Sequence, residues 1–116
     1  MTFEADLKDT ITPVCSRVFA GYAPVATARP YVTWQQIGGN VINPIGNEVP
    51  GLRHAEIQIN VWADSNRVAM ETIRDIEDAM RVASAFTSRP IANAMTSFDA
   101  DVPVFSANQD FYCWHT

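Results

Sequence analysis

The chain has 116 residues, of which 47% are hydrophobic and 18% charged, and these proportions describe one globular domain with a core rather than a disordered segment. The net charge is -5, and one lysine with seven scattered arginines forms no basic run, which argues against tight binding to a nucleic-acid backbone. Cys15 and Cys113 lack metal-site spacing and are expected to be free thiols. No stretch reaches the roughly 18 apolar residues of a membrane span, and the N-terminus is acidic, so we expect a cytoplasmic protein without membrane contact.

The first predicted element is an amphipathic helix at the N-terminus. Phe3, Leu7 and Ile11 recur at helical spacing, and Thr2 can cap the first turn. Pro13 lacks a backbone donor and disfavours helical dihedrals in the residue before it. The helix is therefore expected to end just before this proline, and a short extended piece and a surface loop follow it.

Two strands and the segment between them form the central prediction. Residues 31–37 alternate in polarity and are rich in aromatic and β-branched types, which predicts a strand. From Ala55 to Ala63, strict alternation predicts a second strand with one covered face. The sixteen residues from Gly38 to Arg53 include four glycines and two prolines, and exceed the usual two to five residues of a hairpin connection. Such a long loop is the predicted contact surface.

The remaining elements are a second helix and two closing strands. Residues 64–66 offer an N-cap, and apolar residues recur at helical spacing from Ala69 to Ala83. Met95–Phe98 and Gln109–His115 are predicted strands around a turn-prone segment, Asp99–Asn108. The order α-β-β-α-β-β predicts an α+β fold, with an antiparallel or mixed sheet of about four strands packed against two helices.

Residues able to carry out chemistry are few and form no recognisable motif. His54 and His115 are the only histidines, and neither lies in an arrangement typical of a catalytic triad. Asp99, Asp101 and Asp110 are better explained as turn-forming residues than as a metal site. The sequence therefore predicts no catalytic residue, no cofactor site and no metal site.

The three tryptophans, Trp34, Trp62 and Trp114, each fall within a predicted strand. Core packing is expected for at least two of them. Strict alternation places Trp62 on the polar side of its strand, together with Glu56 and Asn60, opposite the isoleucines. An aromatic ring at that position indicates either a second helix covering it or a contact between subunits.

Several motifs in this order resemble a known protein family. The segments are Arg17–Phe19, Arg29–Val32, Gly51–Arg53, Ile57–Ala63 and Gln109–Trp114. Together they resemble the tail completion, or tail terminator, proteins of long-tailed bacteriophages and prophages. The resemblance covers nearly the whole chain.

The resemblance implies an α+β fold whose copies form a ring, typically a hexamer, at the head-proximal end of the tail tube. Such a ring stops polymerisation of the tube and joins the tail to the head connector, so the implied partners are other copies, the tail tube protein and the head-tail connector protein. The family offers no catalytic residues. The implied location is the tail or neck of the virion, after assembly in the host cytoplasm, and an acidic ring would let DNA pass without specific binding.

The predicted interaction residues lie in the long loop and its flanking strands. They are Gly38, Gly39, Asn40, Asn43, Asn47, Glu48, Arg53 and Trp62. One alternative hypothesis is a small α+β module that binds a metabolite between sheet and helices, with Trp34 or Tyr112 as a wall. Another is a hydrolase that uses Asp99, Asp101 and a metal ion.

Overall fold

Two helices pack against one face of a six-stranded sheet in the described part of the chain, which in this computed structural model is residues 2–46 and 48–116. The elements are α1 (Phe3–Ile11), β1 (Val18–Ala20), β2 (Tyr31–Gly38), β3 (Arg53–Ala63), α2 (Asn66–Arg81), β4 (Thr87–Pro90), β5 (Met95–Asp99) and β6 (Val104–His115). The predicted α+β class is confirmed.

The sheet is built around two long central strands. Its order is β1-β2-β3-β6-β4, and β5 also pairs with β6. β3 and β6 are antiparallel along their whole length, from Arg53 opposite His115 to Ala63 opposite Phe105. The other edge of β6 is shared by β5 and β4. Among the described strands, β1 and β2 form the one parallel pair, so the sheet is mixed, and the predicted hairpin of β2 and β3 is confirmed.

The strand count differs from the prediction of about four. β1 was expected only as an extended piece, but it pairs with β2 from Val18 to Ala20. β4 was not predicted, since Thr-Ser-Arg-Pro has neither apolar alternation nor β-branched enrichment. It forms because β6 has a free edge with which it can pair. Pro90 is tolerated in this strand because the outer side of an edge strand needs no backbone donor for a neighbouring strand.

The turn before β6 is shorter than the predicted segment Asp99–Asn108. β5 continues to Asp99 and β6 already begins at Val104, so only residues 100–103 form the turn. Ser106 and Asn108 made this segment look turn-like, yet both lie on the face of the sheet that carries no helix. Polar side chains there remain in contact with water, so they do not oppose strand formation.

Both helices begin at the expected caps. Thr2 Oγ1 accepts a hydrogen bond from Ala5 N at 3.2 Å, and Ser65 Oγ accepts one from Val68 N at 3.2 Å. α1 ends at Ile11, as Pro13 predicts. The fully buried core joins the helices to one face of the central strands and includes Leu7, Ile11, Ile57, Ile59, Val61, Ile73, Ile76, Met80 and Phe111.

Both cysteines are free and buried, and burial raises the pKa of the Cys113 thiol to about 11. No helix within residues 2–46 and 48–116 is long and apolar enough to cross a membrane.

One polar contact is built into the core between β6 and α2. Gln109 is only 3% exposed, and its Nε2 donates to Glu77 Oε1 at 2.6 Å and to the Ala92 carbonyl oxygen at 2.9 Å. The hydrogen bond from Gln109 lowers the pKa of Glu77, burial opposes this effect, and the nearby Arg81 lowers it further. The ionised form of Glu77 is therefore favoured in the folded state.

Glu77→Gln is expected to reduce the acid sensitivity of the fold. Because the folded pKa of Glu77 lies below its ordinary value of 4.5, its ionised form stabilises the protein above that value. That contribution disappears as the pH falls through the lowered folded pKa. Melting temperatures measured from pH 7 down to pH 3 should fall less steeply for Glu77→Gln than for the wild type. Asp78→Asn, which removes the same charge from the next residue, is the matched control, and parallel profiles for all three proteins would contradict the assignment.

Candidate interaction surface

The β2–β3 loop, residues 39–52, has no regular secondary structure in its described residues, 39–46 and 48–52. Three of its apolar residues are largely exposed, namely Val41 at 79%, Ile45 at 98% and Val49 at 83%. Glu48 is its only charged residue, and the predicted contact residue Asn47 lies outside the described residues. Three exposed apolar residues in one loop with so little charge favour a surface that a partner covers.

The base of the loop is fixed by backbone contacts to β3. Pairing of β2 with β3 ends at Gly38, after an irregularity that follows Gln36. Gly39 has a φ of +139°, and a Cβ atom at this position would overlap the carbonyl oxygen of His54. Asn40 N then donates to His54 Nδ1 at 2.8 Å, which requires this ring nitrogen to be unprotonated. The direction in which the loop leaves the sheet is therefore set by the sequence Gly39-Asn40 and by His54.

Gly39→Ala is expected to destabilise the protein by about 1–3 kcal/mol, because the new side chain combines an unfavourable φ with an overlap against backbone. Urea denaturation measures the loss. Gly51→Ala is the matched control in the same loop, since a Cβ atom there meets nothing within 4 Å and its φ is not positive. Equal midpoints for the two variants would show that Gly39 has no special role.

A cleft of about 380 Å³ lies beside the base of the loop. Four predicted interaction residues line it, namely Gly38, Gly39, Asn40 and Arg53. His54, His115 and Glu4 also line it, and the His115 ring stacks on Phe3 at a centroid distance of 4.1 Å. Within the described chain, no group of three histidine, cysteine or acidic side chains is placed to hold a metal ion.

The structure does not bring Trp62 to the loop. Trp62 lies near the opposite end of β3, nine residues from Arg53, which is about 30 Å along a strand. Its Nε1 donates to Thr33 Oγ1 at 3.1 Å, and its ring stacks on Tyr31 at 6.3 Å between centroids. Asn43 and Glu48, in contrast, are exposed within the loop itself.

The face of the sheet opposite the helices, here called the open face, carries Tyr31, Gln58, Trp62, Asn108 and Tyr112. Both described helices pack on the other face, so the suggestion that a second helix covers Trp62 is wrong. The subunit contact stays a prediction.

Only one tryptophan packs against the core, so the expectation of at least two is wrong. Trp34 lies on the helix side of the sheet and packs against the buried cluster. Trp114 pairs with His54, their ring centroids lie 4.9 Å apart, and it shares the open face with Tyr112. Of the two walls that the metabolite-binding hypothesis named, Tyr112 therefore does not lie between sheet and helices, whereas Trp34 lies on the helix side.

The exposed apolar residues Val41, Ile45 and Val49 were not among the predicted interaction residues. The sequence could have indicated their exposure, because apolar residues in a loop rich in glycine, proline and asparagine have no strand or helix that would bury them. Only the structure shows that Val41, Ile45 and Val49 are largely exposed.

An exposed apolar loop and a sheet face that carries no described helix are features typical of proteins that bind other proteins. Residues 4–116 match the family described as "Tail completion protein gp17", and the chain belongs to this family. It is thus a structural protein of a phage tail. Comparison with curated proteins yields no match.

A similar fold occurs in a chain of a solved structure described as "Virion of native gene transfer agent (GTA) particle". The TM-score is 0.65 at 13% sequence identity, over 97% of this chain and 92% of that chain. At this level of identity the likeness concerns the fold.

Proposed function

We propose that the protein assembles into a homo-oligomeric ring, typically a hexamer, at the head-proximal end of the tail tube. The ring ends polymerisation of the tube and joins the tail to the head connector, without enzymatic activity of its own. It is built in the host cytoplasm and becomes part of the tail or neck of the virion. Membership of the tail completion family supports this role, as does the likeness of the fold to a chain from a gene transfer agent virion.

The observation that carries the proposal is the exposed β2–β3 loop. Ile45 is 98% exposed although burial of such a side chain contributes about 1.5–3 kcal/mol. A free-standing domain gains nothing from this arrangement, whereas an assembling subunit gains affinity when the loop is covered. The fixed base at Gly39 and Asn40 holds the loop ready for contact and so lowers the entropy lost on binding.

The net charge of -5 fits a ring through which DNA passes without binding, because like charges disfavour contact with phosphates. A ring whose channel is lined by basic residues would contradict this part of the proposal.

The direct test combines purified protein with polymerising tail tube protein. Electron microscopy measures tube length and the presence of an end cap, and light scattering after size exclusion measures the oligomeric state. The expected result is short, capped tubes and a ring-sized species at high concentration or in the presence of tubes. Tubes that elongate normally, together with a chain that stays monomeric even beside the tube protein, would overturn the proposal.

A further inference from the structure

We propose that the β2–β3 loop of one copy binds a cleft between α1 and β1 of a second copy. This contact rests on the proposed ring and identifies two of the surfaces that would form it.

The receiving cleft has a volume of about 370 Å³ and lies at the edge of the sheet. Its walls include Val18, Phe19 and Trp34, and Trp34 is the tryptophan that packs against the core. α1 contributes the two charged residues of the lining, Glu4 and Lys8. The cleft therefore combines apolar walls with one anionic and one cationic side chain.

The strand that borders this cleft also has an unused edge. β1 pairs only with β2 among the described strands, so backbone donors and acceptors along its other side have no strand partner. An extended segment from another chain can pair with such an edge while its side chains enter a neighbouring pocket. The β2–β3 loop, whose residues 39–46 and 48–52 form no helix or strand, is suited to this role.

The loop complements the cleft in polarity and in charge. Val41, Ile45 and Val49 supply apolar side chains, and Glu48 is the only charged residue between positions 39 and 52. Lys8 is the only lysine of the chain, and it forms no ion pair within the described residues. Because Glu4 lies one helical turn before Lys8, Glu48 has to approach the Lys8 end of the cleft, which gives the contact a direction.

A second copy is the occupant that the structure favours. The loop does not fill the cleft of its own chain, because none of its described residues lines that cleft and Val41, Ile45 and Val49 are exposed. Donor and acceptor surfaces on one chain form a head-to-tail contact that repeats from copy to copy and closes into a ring when the rotation permits. The loop has 14 residues, fewer than the roughly 20–30 residues per side of a stable interface. One contact is therefore weak alone and gains strength from ring closure.

Charge reversal tests the contact directly. Lys8→Glu places two acidic groups together, and Glu48→Lys places two basic groups together, so each variant should self-associate about five- to tenfold more weakly per contact. An equimolar mixture of the two variants restores opposite charges at every contact of an alternating ring, and the double variant restores them in one chain. Light scattering at low and high salt measures the effect, which salt should weaken. Arg74→Glu, a reversal on the exposed part of α2, is the matched control.

The outcomes separate this contact from the ring itself. Recovery of assembly in the mixture and in the double variant supports the contact. Single variants that assemble as the wild type does, or that stay impaired in every combination while folded, overturn it. Loss of tube capping in Glu48→Lys with normal rings in Lys8→Glu would assign the loop to the tube protein and also overturn it. If the wild-type chain never associates, even with tube protein, the proposed ring itself is contradicted, and the loop contact with it.

Discussion

Ile45→Asp is expected to abolish ring formation and tube capping while leaving the free energy of unfolding within about 0.5 kcal/mol of the wild-type value. Ile45 is 98% exposed in the single chain, so its replacement removes almost no contact from the fold. In an assembled partner site, the aspartate would bring an unpaired charge into an apolar contact. Such a charge costs about 3–5 kcal/mol, which corresponds to a factor of more than about 100 in affinity.

Val25→Asp is the control for this variant. Val25 is fully exposed in the loop between β1 and β2, so the substitution introduces the same charge at an equally exposed apolar residue. Urea denaturation compares stability, and light scattering with electron microscopy of tubes compares assembly. Equal assembly by the two variants would show that the β2–β3 loop is not the contact surface. A large loss of stability in Ile45→Asp would show instead that the loop supports the fold.

The hairpin of β2 and β3 could be predicted because its alternation reflects a purely local rule. One face of β3 meets the helices and the other meets solvent, and the polarity of successive residues follows that geometry. The N-terminal helix was predictable for a similar reason, since Pro13 ends it through its own covalent structure.

β4 could not be predicted in this way, because its stability comes from a neighbour. Thr87–Pro90 carries little strand preference, and pairing with β6 alone makes it a strand. The first half of β6 was mistaken for a turn for the converse reason, since Ser106 and Asn108 are strand residues only on a face without helices. Both errors concern elements whose environment is set by distant parts of the chain.

The candidate site, like the fold, could be predicted only where local sequence determines it. The length and composition of the β2–β3 loop indicated a contact surface, and Gly39, Asn40 and Arg53 do lie together around one cleft. Trp62 could not be placed by alternation, because period two gives the face of a strand residue but not its distance from the loop. Distance depends on the length of the paired strands, which the sequence did not define.

Phe111→Ala is expected to cost about 3–5 kcal/mol of stability. Phe111 is fully buried at the centre of the sheet, where it pairs with Ile57 on β3 and with Pro90 on β4. Removal of its ring leaves a cavity between the sheet and the helices that these three strands cannot easily close. Since a domain of this size has a total stability of about 5–15 kcal/mol, the variant should show a much lower urea midpoint.

Phe98→Ala is the matched control, because Phe98 on β5 is 52% exposed and its truncation should cost less than about 1 kcal/mol.

The Phe111 variant also distinguishes two causes of lost assembly. If Phe111→Ala impairs rings only through unfolding, lower urea or a lower temperature within its folded range should restore them. Ile45→Asp should stay defective under the same conditions, because its fold is intact and the contact itself is lost. Two results would contradict these separate roles of the core and the loop. One is that Ile45→Asp regains ring assembly under conditions that stabilise the fold, and the other is that Phe111→Ala is as stable as the wild type.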